Sequence, residues 1–302
     1  MGTLFKVFRI SFLLFFPIAQ TKPTIVVTIY PLAALVEDLV GNAASVYSIT
    51  PKGVFVHDYV VTSEDIEQTK NADAFIAIGS EEFLSQLTPP EGSLFILDYQ
   101  SELRINSSRG PHGIRFYSYD LEKIVRIIAD YLGKKFPRLN DTIRQNADSY
   151  IAKLHSFESS IADLPKGSIV ASFPLIAYMC LSLNVTPLGP IMPGEKRVSS
   201  DRPIVSFIES KGTPIDDAIR GIAKENGVPV FYVEAFSDDP LSELIKASSI
   251  ILGASVADYY LPSGESSQAA YDYIVISLLI LCLLYIAITD IYASRARRRK
   301  GS

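Results

Sequence analysis

The 302-residue sequence contains only two cysteines and three histidines, so side chains that cross-link the chain or bind soft metals are scarce. Cys180 lies in the middle of the chain and Cys282 lies inside an apolar run, so the two are not expected to pair. The sequence also lacks a CxxC motif. We therefore expect neither a disulfide framework nor a cysteine-based zinc or redox site.

Basic residues are too few for a nucleic-acid-binding face. The formal net charge is −5, and the basic cluster 295–300 lies at the very end of the chain. Neither a GxxxxGKS/T phosphate loop nor an HExxH motif occurs. These absences argue against a nucleic-acid partner, an ATPase and the common zinc hydrolases. The length is sufficient for one large domain or two of ordinary size.

The N-terminal segment, residues 1–21, has the pattern of a signal peptide. Lys6 and Arg9 supply positive charge, Ile10–Phe16 is a short apolar stretch, and Ala19 is a small residue suited to cleavage. An uncleaved N-terminal anchor is the alternative. The pattern predicts that the residues that follow are exported.

The C-terminal segment predicts a membrane anchor. Tyr273–Thr289 contains no charged residue, and at ~1.5 Å per residue it reaches roughly 26 Å, close to the bilayer core thickness. We assign a transmembrane helix to 271–292 and a basic cytoplasmic tail to 293–302, because basic residues remain on the cytoplasmic side. Residues 261–270 then form a short polar stalk. This topology predicts an extracellular main domain held on the cell membrane by a single-pass anchor. The alternative is that the apolar run is a buried core helix.

Short apolar runs alternate with helical patterns between residues 22 and 260, which predicts an α/β fold with parallel sheets. In the first half, Thr24–Tyr30, Ala74–Gly79 and Leu94–Leu97 are typical of buried strands. Ser63–Lys70 is predicted to be a helix with Ser63 as its N-cap. The second half shows the same alternation, with strands at 168–172 and 228–233 and helices at 175–183, 215–226 and from 240 onward.

One long helix separates the two halves. Between Leu139 and Ala162 apolar residues recur every three or four positions, and the segment contains neither glycine nor proline. The apolar positions are Ile143, Ala147, Tyr150, Ile151, Leu154, Phe157 and Ile161. We predict two lobes, each a parallel sheet flanked by helices, at 22–137 and 164–260. A rigid interlobe helix at 138–163 joins them.

The stretch Ile49–Gly79 resembles the first metal-ligand region of the zinc- and manganese-binding proteins of ABC transporters. The matching positions are Pro51, Gly53, His57, Asp58, Tyr59, Thr62, Asp65, Ala72, Asp73 and Gly79. Other segments similar to that family follow in order: IVVTIYPLAALVEDLVG, the PH pair at 111–112, NADSYIAKLHSFESSIADL and KENGVPVFYVEAFSDDPL. The resemblance extends over nearly all of residues 24–256.

The resemblance implies a metal site at the cleft between the lobes, with two ligands from each lobe. When the family's ligand positions are matched to this sequence, His57 and His112 are the two histidines of the N-terminal lobe. Glu234 then takes the place of the family's aspartate. Phe173 falls where the family has histidine or glutamate, and phenylalanine cannot coordinate a metal. Imidazole and carboxylate suit zinc and manganese, and water or a nearby oxygen would complete the shell. With three protein ligands, we expect a lower affinity.

Three other polar residues have competing interpretations. Asp238 and Asp239 are candidates to replace the missing ligand, with the alternative that they cap the helix beginning at Pro240. His155 lies among polar residues of the long helix and is expected to be solvated.

The predicted function is extracytoplasmic capture of a divalent metal ion, zinc or manganese, for delivery to an ABC-transporter permease. The chain would be a binding protein and not an enzyme. A surface adhesion or scaffold protein on the same fold, with a degenerate metal site, is the alternative, and Phe173 favours it. A zinc hydrolase using His57, His112 and Glu234 with an open water position is a third hypothesis.

Overall fold

The structure, a computed structural model, describes residues 22–54, 56–104, 118–189 and 202–260. These residues form two four-stranded parallel sheets, one in each half of the chain. Within these ranges no helix is both long enough and apolar enough to cross a membrane. The predicted signal peptide at 1–21 lies outside the described residues, and so do the stalk, transmembrane helix and tail predicted at 261–302.

The N-terminal sheet has the strand order β2-β1-β3-β4. Its strands are β1 (Thr24–Val27), β2 (Ser45–Ser48), β3 (Ala74–Ala77) and β4 (Leu94–Phe95). Helices α1 (Tyr30–Val40), α2 (Ser63–Lys70) and α3 (Ser118–Lys135) connect or follow them. The central strands β1 and β3 are almost wholly apolar, because helices cover a parallel sheet on both faces.

The C-terminal sheet has the order β6-β5-β7-β8, which is the same topology as the first sheet. Its strands are β5 (Ser168–Ala171), β6 (Thr186–Leu188), β7 (Ile204–Phe207) and β8 (Val230–Val233). Helices α5 (Pro174–Ser182), α6 (Pro214–Asn226) and α7 (Pro240–Tyr260) belong to this half. The predicted α/β class with two parallel sheets is confirmed, and the two halves repeat one topology that the sequence does not reveal.

The long helix between the sheets, α4 (Asn140–Ile161), agrees with the prediction. All seven of its predicted apolar positions are buried. It packs against α1 and α3 of the first half. Toward the second half, the Tyr150 hydroxyl donates to Asp239 Oδ1 at 2.7 Å and accepts from the Leu241 N–H at 3.0 Å. The helix therefore contacts both halves of the chain, the second one through Tyr150.

One large apolar cluster extends through both sheets and α4, and a smaller one packs α6 on the second sheet. The large cluster includes Ile25 and Phe75 of the first sheet together with Ile169 and Phe207 of the second. A shared core of this kind resists separation of the lobes, because opening them would expose apolar surface to water.

Two local predictions were wrong, and two strands were not predicted. The N-cap of α2 is Thr62 and not Ser63, because Thr62 Oγ1 accepts the Asp65 N–H in a reciprocal capping box. The fourth strand ends at Phe95, since a 3₁₀ segment, Ile96–Glu102, begins where LFIL was expected to continue. Strands β6 and β7 were not predicted, because β6 is a three-residue segment with a central proline and the apolar run of β7 is interrupted by Ser206.

Candidate metal site

His57 lies in the loop that follows β2, beyond the carboxyl end of the N-terminal sheet. A single 3₁₀ turn, Val56–Asp58, carries it, and Val56 beside it is buried. The His57 side chain is 47% exposed, and its Nδ1 lies 3.6 Å from Oε1 of the exposed Glu82. The imidazole is therefore open to solvent at the edge of the sheet where ligands of parallel sheets collect.

The carboxylate of Asp65 anchors the loop that carries His57. Asp65 is fully buried, and its Oδ2 accepts the Tyr59 hydroxyl at 2.7 Å and the Thr62 N–H at 2.8 Å. The Tyr47 hydroxyl of β2 donates to Oδ1 at 2.8 Å. Burial raises the pKa of Asp65, but the hydrogen bonds from Thr62, Tyr59 and Tyr47 outweigh burial and lower the pKa below its ordinary value. The ionised carboxylate thus ties the loop to α2 and to β2.

A second buried carboxylate, Glu81, fixes the turn after β3. Its oxygens accept the N–H groups of Ile78, Gly79 and Ser80 at 2.8–3.0 Å, and the Thr28 hydroxyl also donates to it. Glu81 is 4% exposed. Because these donors already occupy its two oxygens, Glu81 shapes the edge of the sheet and is not available as a metal ligand. No motif in the sequence pointed to Glu81.

Glu234 directly follows β8, at the carboxyl end of the C-terminal sheet. It is exposed, and the Ser237 hydroxyl donates to its Oε2 at 3.5 Å. Both neighbouring residues on its C-terminal side, Ala235 and Phe236, are buried. The structure thus presents this carboxylate to solvent from a fixed backbone, at the position where the sequence predicted a ligand.

Glu209 is a further carboxylate at the same edge that the sequence analysis missed. It follows β7, and its Oε1 accepts the Ala235 N–H at 2.8 Å. Its Oε2 is buried and has no hydrogen-bond partner among the described residues. Burial raises the pKa of Glu209, and the negative charge of Glu234 raises it further. Reading the IVSF run of β7 as a strand would have placed Glu209 at the carboxyl edge.

Phe173 occupies the carboxyl end of β5 and is the N-cap residue of α5. Its ring centroid lies 5.4 Å from that of Phe207, which in turn lies 6.4 Å from that of Phe236. The position that resembles the family's third ligand is therefore part of an aromatic column, formed by Phe173, Phe207 and Phe236.

The two aspartates after Glu234, Asp238 and Asp239, bind groups of helix α7. Asp239 Oδ1 accepts the Leu241 and Ser242 N–H groups at 3.1 and 3.3 Å, and Asp238 Oδ2 lies 2.7 Å from Lys246 Nζ. The capping alternative is confirmed for Asp239, which is buried and already bonded. Both aspartates therefore have partners in the segment that begins α7.

The structure brings the His57 loop and the Glu234 loop together across the lobes. The Gly53 N–H donates to the Phe236 carbonyl at 2.6 Å.

His112 lies outside the described residues. Among the residues that are described, no group of three or more His, Cys, Asp or Glu side chains is placed to hold a metal. His155 is exposed on α4 with its Nε2 2.9 Å from Glu122 Oε2, away from this edge, as predicted for a solvated residue.

The relatives found by comparison with known proteins are named as metal-binding proteins. Zinc-binding protein AdcA of Streptococcus pyogenes serotype M1 is 24% identical over 257 residues, which is 70% of this chain and 50% of that protein. A putative metal-binding protein of Thermotoga maritima is 26% identical over 167 residues, covering 51% of this chain and 59% of that protein. The chain thus spans about half the length of the AdcA relatives it matches.

Solved structures share the fold. A crystal structure of ZnuA superposes with a TM-score of 0.65 at 18% identity and covers 78% of this chain and 99% of that one. The binding protein FpvC of Pseudomonas aeruginosa in complex with Mn²⁺ gives 0.64 at 19% identity, with 79% and 100% covered. The Zn(II)-bound ZnuA-like domain of Streptococcus pneumoniae AdcA gives 0.60 at 19% identity, with 78% and 99% covered. At these identities the likeness establishes the two-lobe α/β fold.

The family model described as ZnuA, zinc-uptake complex component A, periplasmic, matches residues 25–276. This span includes both sheets, the interlobe helix and every ligand position discussed above. The chain belongs to the ZnuA family of zinc-uptake components.

Proposed function

We propose that the chain captures a divalent metal ion, zinc or manganese, between its two lobes and delivers it to an ABC-transporter permease. The observation that carries this proposal is the meeting of two loops, joined by the Gly53–Phe236 hydrogen bond. One loop presents the imidazole of His57 and the other the carboxylate of Glu234. Membership of a zinc-uptake family supports a transport role over catalysis and argues against the hydrolase hypothesis.

The proposed ligands are His57, His112 and Glu234. Neutral imidazole and carboxylate suit zinc, which commonly keeps three protein ligands and one open position. The buried Oε2 of Glu209 is a nearby oxygen that can complete the shell on the C-terminal side, since it lacks a hydrogen-bond partner in the described part of the chain. Water is the alternative fourth ligand.

The domain assignment and topology remain our proposal. We place the N-terminal lobe at 22–137, the interlobe helix at 138–163 and the C-terminal lobe at 164–260. An export signal at 1–21 and a membrane helix at 271–292 would hold these lobes on the outer face of the cell membrane, close to a permease. The apolar Tyr273–Thr289 run and the basic tail that follows support this topology.

A second candidate is a surface adhesion or scaffold protein on the same fold. It is favoured by Phe173, which fills the third ligand position with an apolar ring packed on Phe207. This function predicts that no metal binds with stoichiometric affinity.

The melting temperature of the full chain, purified without a histidine tag and stripped with chelator, distinguishes the two functions. Zinc or manganese at a hundred times its dissociation constant is expected to stabilise the chain by about 2.7 kcal/mol, because only the folded state presents the site. The His57→Ala variant is expected to lose this shift.

His155→Ala is the matched control, since His155 is a similarly exposed histidine on α4 that contacts Glu122 and no proposed ligand. Its metal-induced shift is expected to equal that of the wild type. Absence of a shift in the wild-type chain with every divalent ion tested would reject metal capture in favour of the scaffold function.

A further inference from the structure

The contact between the ligand-bearing loops is made by two residues in unusual backbone conformations. Gly53 has φ +75° and donates its N–H to the carbonyl of Phe236, which has φ +60°. At 2.6 Å this hydrogen bond is short. Glycine adopts positive φ readily, whereas a bulky residue such as phenylalanine does so only when its surroundings enforce it.

The aromatic column enforces the conformation of Phe236. The Phe236 side chain is 2% exposed and packs on Phe207, and Phe207 packs on Phe173. Turning Phe236 to an ordinary φ would pull its ring out of this column. The strained backbone therefore persists because the buried rings hold it in place.

Two carboxylates fix the backbone on either side of Phe236. The Ala235 N–H donates to Glu209 at 2.8 Å, and the Ser237 N–H donates to Glu243 at 2.7 Å. With both flanking amides anchored, the Phe236 carbonyl is a rigid acceptor that faces the opposite lobe.

We propose that the Gly53–Phe236 contact, supported by the aromatic column, is a latch that holds the His57 and Glu234 loops at their binding separation before metal arrives. Gly53 and Phe236 are then positioning residues, which act through the loops and do not touch the metal. The aromatic column lies within the C-terminal half and fixes that side of the latch, while the Gly53 N–H supplies the contact from the N-terminal half. The effect of the latch on metal binding rests on the proposed function, whereas the contact between the two loops does not.

Gly53→Ala tests the latch, and Gly227→Ala is its matched control. Both glycines have positive φ, +75° and +67°, and a Cβ added at either meets no atom within 4 Å. The substitutions therefore impose similar backbone strain without a clash. Gly53 lies in the latch, whereas Gly227 ends α6 before the amino end of β8, at the opposite edge of the sheet. Similar losses of melting temperature are expected from both.

The first readout needs no metal. Amide hydrogen exchange at residue 53 of the stripped full chain is expected to be slow in the wild type and in Gly227→Ala, and at least about tenfold faster in Gly53→Ala. Phe236→Gly keeps the carbonyl and tolerates positive φ but removes the ring, so it is expected to speed exchange at residue 53 as well. Fast exchange in the wild type, or no change in either latch variant, would overturn the proposal.

The second readout is the dissociation constant for Zn²⁺, measured by competition with a chromophoric chelator. Gly53→Ala is expected to weaken binding about tenfold, and Gly227→Ala is expected to leave it unchanged. Equal affinities in all three chains would show that the contact does not position the ligands. If the wild type binds no metal but residue 53 behaves as expected in exchange, the proposed function fails and the latch stands.

Discussion

Phe173→His is expected to tighten zinc binding roughly a hundredfold, about 3 kcal/mol, because it restores a fourth protein ligand. Zinc-binding energies of about 10–16 kcal/mol for four-ligand sites give a few kcal/mol per ligand. Phe173 stands at the carboxyl end of β5, and its ring already lies in the column that reaches Phe236 in the Glu234 loop. An imidazole there can complete a tetrahedral shell with His57, His112 and Glu234.

Phe173→Leu is the control for Phe173→His. Both variants remove the ring from the aromatic column and cost some packing energy, but only histidine adds a ligand. The dissociation constants for Zn²⁺ of the two variants and the wild type, measured by chelator competition on the full chain, isolate the ligand effect. Affinity in Phe173→His no better than in Phe173→Leu would show that this position does not face the metal.

Asp65→Asn is expected to lower the free energy of unfolding by about 3 kcal/mol. Asp65 is fully buried and accepts hydrogen bonds from two tyrosine hydroxyls, Tyr47 and Tyr59, and from the Thr62 backbone and side chain. An amide offers one acceptor oxygen in place of two and loses the stronger charge-assisted bonds. Urea denaturation measures the loss.

Asp216→Asn is the matched control, because the C-terminal lobe repeats the same arrangement. Asp216 is fully buried near the start of α6, behind the N-cap Thr213, and accepts the Tyr232 hydroxyl at 2.7 Å. We expect a comparable loss of stability from both variants. Only Asp65→Asn is expected to weaken metal binding as well, since Tyr59 ties the His57 loop to Asp65. Equal metal affinity in the two variants would contradict a role for Asp65 in holding that loop.

The effect of Asp65→Asn is expected to depend on pH. The pKa of Asp65 is lower in the folded chain than its ordinary value, so the ionised carboxylate stabilises the fold above about pH 4. This stabilisation is lost as the pH falls through the folded pKa. The asparagine variant lacks the titrating group, and the difference between wild type and variant should therefore shrink below about pH 4. Burial, and then the hydrogen bond that Tyr59 donates to Asp65, raise the pKa of Tyr59 to about 12, so no alkaline change in stability is expected from this pair near neutrality.

Elements with a regular hydrophobic pattern along the chain were predicted correctly from the sequence. The seven buried positions of α4 were all predicted, because a 22-residue helix gives about six turns over which an apolar stripe is unmistakable. The strands β1 and β3 were predicted from continuous apolar runs. Strands β6 and β7 were missed because β6 is the three-residue segment TPL with a central proline, and the apolar run that contains β7 is interrupted by Ser206.

The sequence by itself determined the α/β class, the interlobe helix and the chemical types of the proposed ligands, because these depend on hydrophobic spacing and on residue identity. Only the tertiary structure decided that Glu209 lies beside the Glu234 loop, that Asp239 caps α7 and that Phe173 belongs to an aromatic column. It also decided that Gly53 meets Phe236, two residues in different lobes. Such contacts join side chains and backbone groups that are far apart in the chain, and no local pattern encodes which distant partner a buried group will find.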